Sequence, residues 1–208
     1  MMRLYLASEA KHPDSVKKLE KFAGGFQSKK ITYIPTAANG EQAFGDWRKN
    51  SETWQLVQTL GAKVSAVQLE DYKNSSVIKL LKSKDIIWFA GGACSYLMYW
   101  ILRCGINKYL PEILASGTIY VGSSAGSMIT AKTLDVAEWY PGEPEIGSHY
   151  LPGLGLVDFD IFPHYEDTLL PELKKWYRGN KMYLLKNGEA IAVENKKVTV
   201  LGQTRVIP

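Results

Sequence analysis

The chain has 208 residues, 46% hydrophobic and 22% charged, with a net charge of +4; that is enough apolar sequence to build a core without disulfide or metal staples, and one domain spanning residues 1–208 is expected. The lysines are scattered as Lys17-Lys18, Lys29-Lys30, Lys174-Lys175 and Lys196-Lys197, which reads as solvated faces and argues against nucleic acid as a partner. No apolar run is long enough to span a bilayer, and the first residues enter a strand without a signal-peptide pattern, so a cytoplasmic protein with no membrane partner is expected.

In chain order, strands are predicted at residues 3–7, 30–35, 63–69, 85–90 and 118–121, the last two being nearly continuous apolar runs of the kind buried on both faces. Helical spacing fills the gaps. Val16, Leu19 and Phe22 precede the stop signal Gly24-Gly25, and Leu97, Trp100, Ile101 and Cys104 mark a face that ends at Gly105. Strands alternating with helices imply a parallel sheet covered on both sides, with ligands beyond the carboxyl ends of the strands. From 138 to 155 the chain is rich in proline and glycine and reads as a long ordered loop of the kind that carries lids and binding residues. Val157, Phe159 and Ile161 alternate with Asp158 and Asp160, predicting a half-buried strand. A helix near 170–177 follows, and then a terminal antiparallel meander of residues 181–185, 190–193 and 198–201 with a turn at 194–196.

One stretch carries chemistry. Residues 118–128 run from a β-rich segment into Gly122-Ser123-Ser124-Ala125-Gly126 and resume as a helix former. This is the strand-turn-helix context of a nucleophile elbow, in which a serine hydroxyl is pushed outward and side chains at the two glycine positions would collide with the backbone. The helix start near Ala125 adds free N–H groups where an oxyanion would form.

A serine nucleophile needs a general base, and His12, His149 and His164 are the three histidines. His12 falls at the start of the first helix, read as a surface position away from the carboxyl ends of the strands, and His149 lies in the Pro/Gly loop. His164 directly follows a predicted strand in Phe162-Pro163-His164-Tyr165, which suits delivery to the catalytic edge. The two cysteines, Cys94 and Cys104, share a predicted helix and sit too far apart along it to bridge. Cys94 reads as core packing. With histidines and cysteines lacking paired short spacing, no metal site is expected.

The order of these parts, with Gly91-Gly92 on one turn, Gly122 to Gly126 on the next and Pro163-His164-Tyr165 after a loop, resembles the peptidase E and cyanophycinase group of serine peptidases over essentially the whole chain. An α/β-hydrolase would instead place its acid between serine and histidine. The resemblance implies an α/β three-layer sandwich with a mainly parallel central sheet, like the flavodoxin-like class I glutamine amidotransferase domains, plus the C-terminal antiparallel meander. It further implies a dipeptidase-like serine hydrolase of small peptides, without a cofactor, as a monomer or homodimer. By position, Ser124 resembles the family nucleophile and His164 its base, with the N–H groups of Gly92 and Ala125 as the oxyanion hole.

Two positions depart from the group's pattern. Ala93 stands where Gly-Gly-Asn is common, and Leu185-Lys186-Asn187-Gly188 stands where peptidase E has a catalytic glutamate in Leu-Pro-Glu-Gly. The third catalytic member is then Asn187, able to orient a histidine without a charge, or Glu189 two residues on. The loop between serine and histidine carries Glu138, Glu143 and Glu145 beside Trp139, Tyr140 and Tyr150. It reads either as a well-packed solvated loop or as an acidic aromatic wall for a basic or amine-bearing substrate. Two rival functions stay open: an esterase or amidase with the same machinery, and a non-catalytic ligand-binding or regulatory domain on the same fold.

Overall fold

Apolar side chains at every position of a strand require cover on both faces, and that demand organises the molecule. The computed structural model describes residues 1–208, the Gln42 side chain excepted. Its strands are β1 (Arg3–Ala7), β2 (Lys30–Ile34), β3 (Lys63–Ala66), β4 (Ile86–Phe89), β5 (Ile119–Ser123), β6 (Asp160–Phe162), β7 (Met182–Leu184), β8 (Ala190–Glu194), β9 (Lys197–Leu201) and β10 (Val206–Ile207). The helices are α1 (Pro13–Ala23), α2 (Thr36–Asn39), α3 (Trp47–Asn50), α4 (Glu52–Thr59), α5 (Ile78–Leu81), α6 (Cys94–Arg103), α7 (Ile106–Ala115), α8 (Ala125–Met128), α9 (Asp135–Glu138) and α10 (Leu170–Trp176).

A seven-stranded sheet runs β3-β2-β4-β5-β1-β8-β9. Its first five members are parallel and β8–β9 is an antiparallel hairpin added beside β1. Successive side chains alternate between faces. Tyr5, Tyr33, Trp88 and Val121 join Leu19 of α1, Trp47 of α3 and Val57 of α4 in one core. Leu4, Leu6, Phe89 and Tyr120 join α5, α6, α7 and the smaller sheet in the other. The predicted strand at 63–69 is shorter than expected because the chain turns after Ala66 into a 3-10 segment, Leu69–Asp71.

The smaller sheet is what the meander pattern left out. β7 leaves β8 and β9 and pairs parallel with β6 and antiparallel with β10. All three β7 residues are buried, whereas β9 is half-exposed along its length; a strand that apolar cannot serve as a sheet margin and needs cover on both sides. The alternation around β6 also fails at one position. Asp160, expected on the solvent face, is buried and accepts a hydrogen bond from the Tyr177 hydroxyl. Burial raises its carboxyl above the usual carboxylate range against the lowering effect of that bond.

The register brings the strand ends level. Leu6 pairs with Gly122, and Gly122 pairs in turn with Phe89. The loops after β1, β4 and β5 therefore meet at one carboxyl edge, where ligands of open α/β sheets bind.

Candidate active site

Ser124 occupies the turn between β5 and α8 with φ 48° and ψ −112°, a conformation that costs an L-residue of order 1–3 kcal/mol and persists only when its surroundings fix it. Those surroundings are backbone. The Ser124 N–H donates to the carbonyls of Ala7 and Ser8, both at 3.1 Å, and the Ser127 hydroxyl donates to Ala7 O at 2.8 Å. A Cβ at Gly122 would lie 2.5 Å from Gly126 O, and one at Gly126 would lie 2.5 Å from Phe89 O. Both glycines are therefore required by close approach of backbone to backbone.

The turn after β4 faces the elbow. Gly92 has φ 130°, and a Cβ there would fall 2.3 Å from Ala37 O of α2. Its N–H and that of Ala125 have no acceptor among the described residues. The next residue, Ala93, offers no side-chain cap to α6. Glu145 supplies one from the Pro/Gly loop, accepting from Cys94 N and Ser95 N at 2.7 Å each and from the Ser95 hydroxyl at 2.5 Å. The loop is thereby fastened over the turn at its acidic residue.

His164 and Asn187 arrive from the smaller sheet. Because β6 and β7 run parallel with Phe162 opposite Leu184, the residues following each strand emerge at the same edge. His164 holds φ 53°, its N–H donates to Ser8 Oγ at 2.8 Å, and its Nδ1 lies 2.7 Å from Asn187 Oδ1. The Ser8 hydroxyl donates to the same Oδ1 at 3.1 Å. Ser8 was not singled out in the sequence; its place directly after the first buried strand, on the carboxyl edge, is the signal that could have found it.

Glu189 is not the partner of His164. Its carboxylate accepts from Lys186 N, Gln203 N and Arg205 on the other side of the turn. Burial pushes this carboxyl up, but those three donors outweigh it and hold it below the usual range. His12 also departs from expectation. It follows β1 at the carboxyl edge, caps α1 through Nδ1, and its ring lies where a Gly188 side chain would otherwise stand, 2.7 Å from the position of that Cβ. His149 pairs with buried Glu138 at 2.8 Å inside the loop. Cys94 is buried with its Sγ 3.8 Å from Met128 Sδ, and burial, reinforced by Glu145, raises its thiol well above its ordinary value.

Ser124, His164, Gly91, Gly92 and Tyr140 line one open cavity of about 770 Å³. Tyr33 lines it too; burial pushes its phenol up to about 12 despite a hydrogen bond with Ser51. Among the described charged residues of the remaining wall, carboxylates outnumber cations: Glu9, Glu41, Glu52, Glu143 and Glu145 against Lys11, itself held by Glu9 and Glu52. Burial and the neighbouring Glu143 and Glu145 raise the Glu41 carboxyl. Of the loop residues expected to form this wall, Glu143, Glu145 and Tyr140 do so, whereas Trp139 and Tyr150 are exposed away from it and Glu138 is buried against His149.

The profile of peptidase family S51 matches residues 4–201. The chain belongs to peptidase family S51. Similar proteins include an uncharacterized peptidase of Listeria monocytogenes, 28% identical over 95% of this chain and 97% of the relative. A peptidase E of Nostoc sp. is 24% identical over 88% of this chain and 76% of that protein. The crystal structure of a candidate peptidase E protein from Listeria monocytogenes superposes with a TM-score of 0.78 at 26% identity, covering 96% of this chain and 98% of that one. S51 membership supports a peptidase hydrolase, and the mainly parallel α/β sheet agrees with the fold that the resemblance implied.

Proposed function

We propose that this S51 member is a serine peptidase of small peptides in which Ser124 attacks the amide carbonyl and His164 accepts its proton. The observation that carries this reading is the strained Ser124 elbow opening into the same cavity as His164, whose far nitrogen rests on Asn187. With Nδ1 donating to Asn187 Oδ1, Nε2 keeps its lone pair for the serine proton. The N–H groups of Gly92 and Ala125 take the oxyanion, the acyl-enzyme forms as the amine leaves with the histidine proton, and water then completes hydrolysis.

Pocket charge favours a substrate bearing an amine or a basic side chain, because with Glu9 and Glu52 set against Lys11 and Glu145 against the start of α6, Glu41 and Glu143 remain among the described lining residues to repel an aspartyl carboxylate. The test is labelling with a fluorophosphonate probe. Wild-type protein is expected to take up one equivalent and Ser124→Ala none, with peptide hydrolysis lost and circular dichroism unchanged. Labelling of Ser124→Ala at the wild-type rate would remove Ser124 as the nucleophile. A wild-type protein that neither labels nor cleaves peptides, esters or amides would make it a ligand-binding domain.

A further inference from the structure

We infer that Ser8 is a positioning residue that selects the reactive tautomer of His164 by fixing which end of the Asn187 side chain faces the ring, a role that rests on the Ser124–His164 reading above. An asparagine amide presents an acceptor oxygen or a donor nitrogen, and the two ends have nearly the same shape. If Oδ1 faces Nδ1, the imidazole must carry its proton there and Nε2 is free to accept one from serine. If the NH2 faces Nδ1, the ring proton moves to Nε2 and the histidine cannot act as a base. Asn187 is itself exposed, and no bond among the described residues holds its amide except those from Ser8 and His164.

Ser8 breaks the tie. Its Oγ accepts the His164 N–H at 2.8 Å, so its own proton must find a different acceptor, and Asn187 Oδ1 at 3.1 Å is the one within reach among the described residues. Ser8 is fully buried, so water cannot take that proton instead. Rotating the amide by half a turn would strand a buried hydroxyl donor, which is a costly state. The Ser8 carbonyl also accepts the Ser124 N–H, so one residue is bonded to the nucleophile, the base and the base's partner.

The experiment is a double-mutant cycle in the full chain, read as kcat and KM on a lysyl dipeptide amide. Ser8→Ala is expected to lower kcat by about tenfold to a hundredfold with KM within about twofold. In the Asn187→Asp background the same change is expected to cost less than about threefold, because a carboxylate has two equivalent oxygens and cannot be turned the wrong way. The lost acceptor for the His164 N–H is common to both arms and cancels. Equal losses in the two backgrounds, or no loss in either, overturn the role. Should Ser8→Ala fail to fold, imidazole 15N spectra of the wild-type protein decide: a protonated Nδ1 and bare Nε2 on His164 support the role, and the reverse overturns it. Activity surviving in Ser124→Ala would instead undo the underlying reading of the site, whatever Ser8 does.

Discussion

Ser124 and His164 both hold positive φ, at 48° and 53°, where an L-residue loses roughly 1–2 kcal/mol relative to glycine. Ser124→Gly is therefore expected to raise stability by about 0.5–1 kcal/mol while abolishing hydrolysis, a gain that thermal denaturation would read as a higher Tm. A Tm below wild type would mean that the hydroxyl, and not the backbone, holds the elbow. On the proposed reading, the uncharged Asn187 beside His164 orients the ring without stabilising the imidazolium. Asn187→Asp is expected to raise kcat by about tenfold, measured on a lysyl dipeptide amide, since the carboxylate would favour the charged ring. Glu189 behaves differently. Its donors keep the folded-state pKa below the unfolded one, so it contributes stability above the unfolded value that is lost as pH falls through the lowered folded value. Glu189→Gln should destabilise the protein by about 1–2 kcal/mol at neutral pH, flatten the acid limb of stability against pH, and leave kcat unchanged.

At the scale of elements, the elbow was legible because strand, glycine spacing and helix all fall within one short stretch, Thr118 to Met128, and physical chemistry links them locally. The fate of β7 was not. Three residues, Met182, Tyr183 and Leu184, contain too little periodicity to choose a sheet, and what decides is burial against partners distant in sequence. The same holds for Glu145, whose role as the cap of α6 depends on a contact with residues fifty positions earlier. Ala93 marks a departure from the group's Gly-Gly-Asn, yet nothing local shows which side chain supplies an acceptor oxygen at the start of α6. His164 drew attention because it directly follows a strand, whereas Ser8, which does the same after β1, drew none because serine there reads as ordinary turn chemistry. Glu145→Ala is expected to cost about 1–2 kcal/mol and to speed amide exchange in residues 139–147, as read by hydrogen–deuterium exchange. Unchanged protection there would show that the loop is held by other contacts.

At the scale of the whole molecule, net charge and pocket charge have opposite signs. The chain carries +4, but its cavity is walled by Glu9, Glu41, Glu52, Glu143 and Glu145, and a substrate inside it responds to the wall because charges beyond about 10 Å are screened. A lysyl dipeptide amide should exceed its aspartyl counterpart in kcat/KM by about tenfold or more at low salt, with the ratio shrinking at high salt. Equal values at both salt concentrations would sink the charge argument. The central position of β1 matters for how the protein is made. Leu6 pairs with both Gly122 and Ile191, so an early strand waits, open on both sides, for partners from the middle and the far end of the chain, and such long-range closure slows folding. During synthesis the elbow, the histidine and its amide emerge in that order, and Ser8, which ties them together, is already present. On the proposed reading, the Ser124–His164–Asn187 arrangement therefore cannot assemble on a ribosome-bound fragment that stops short of Asn187, and the site waits for the smaller sheet to be made.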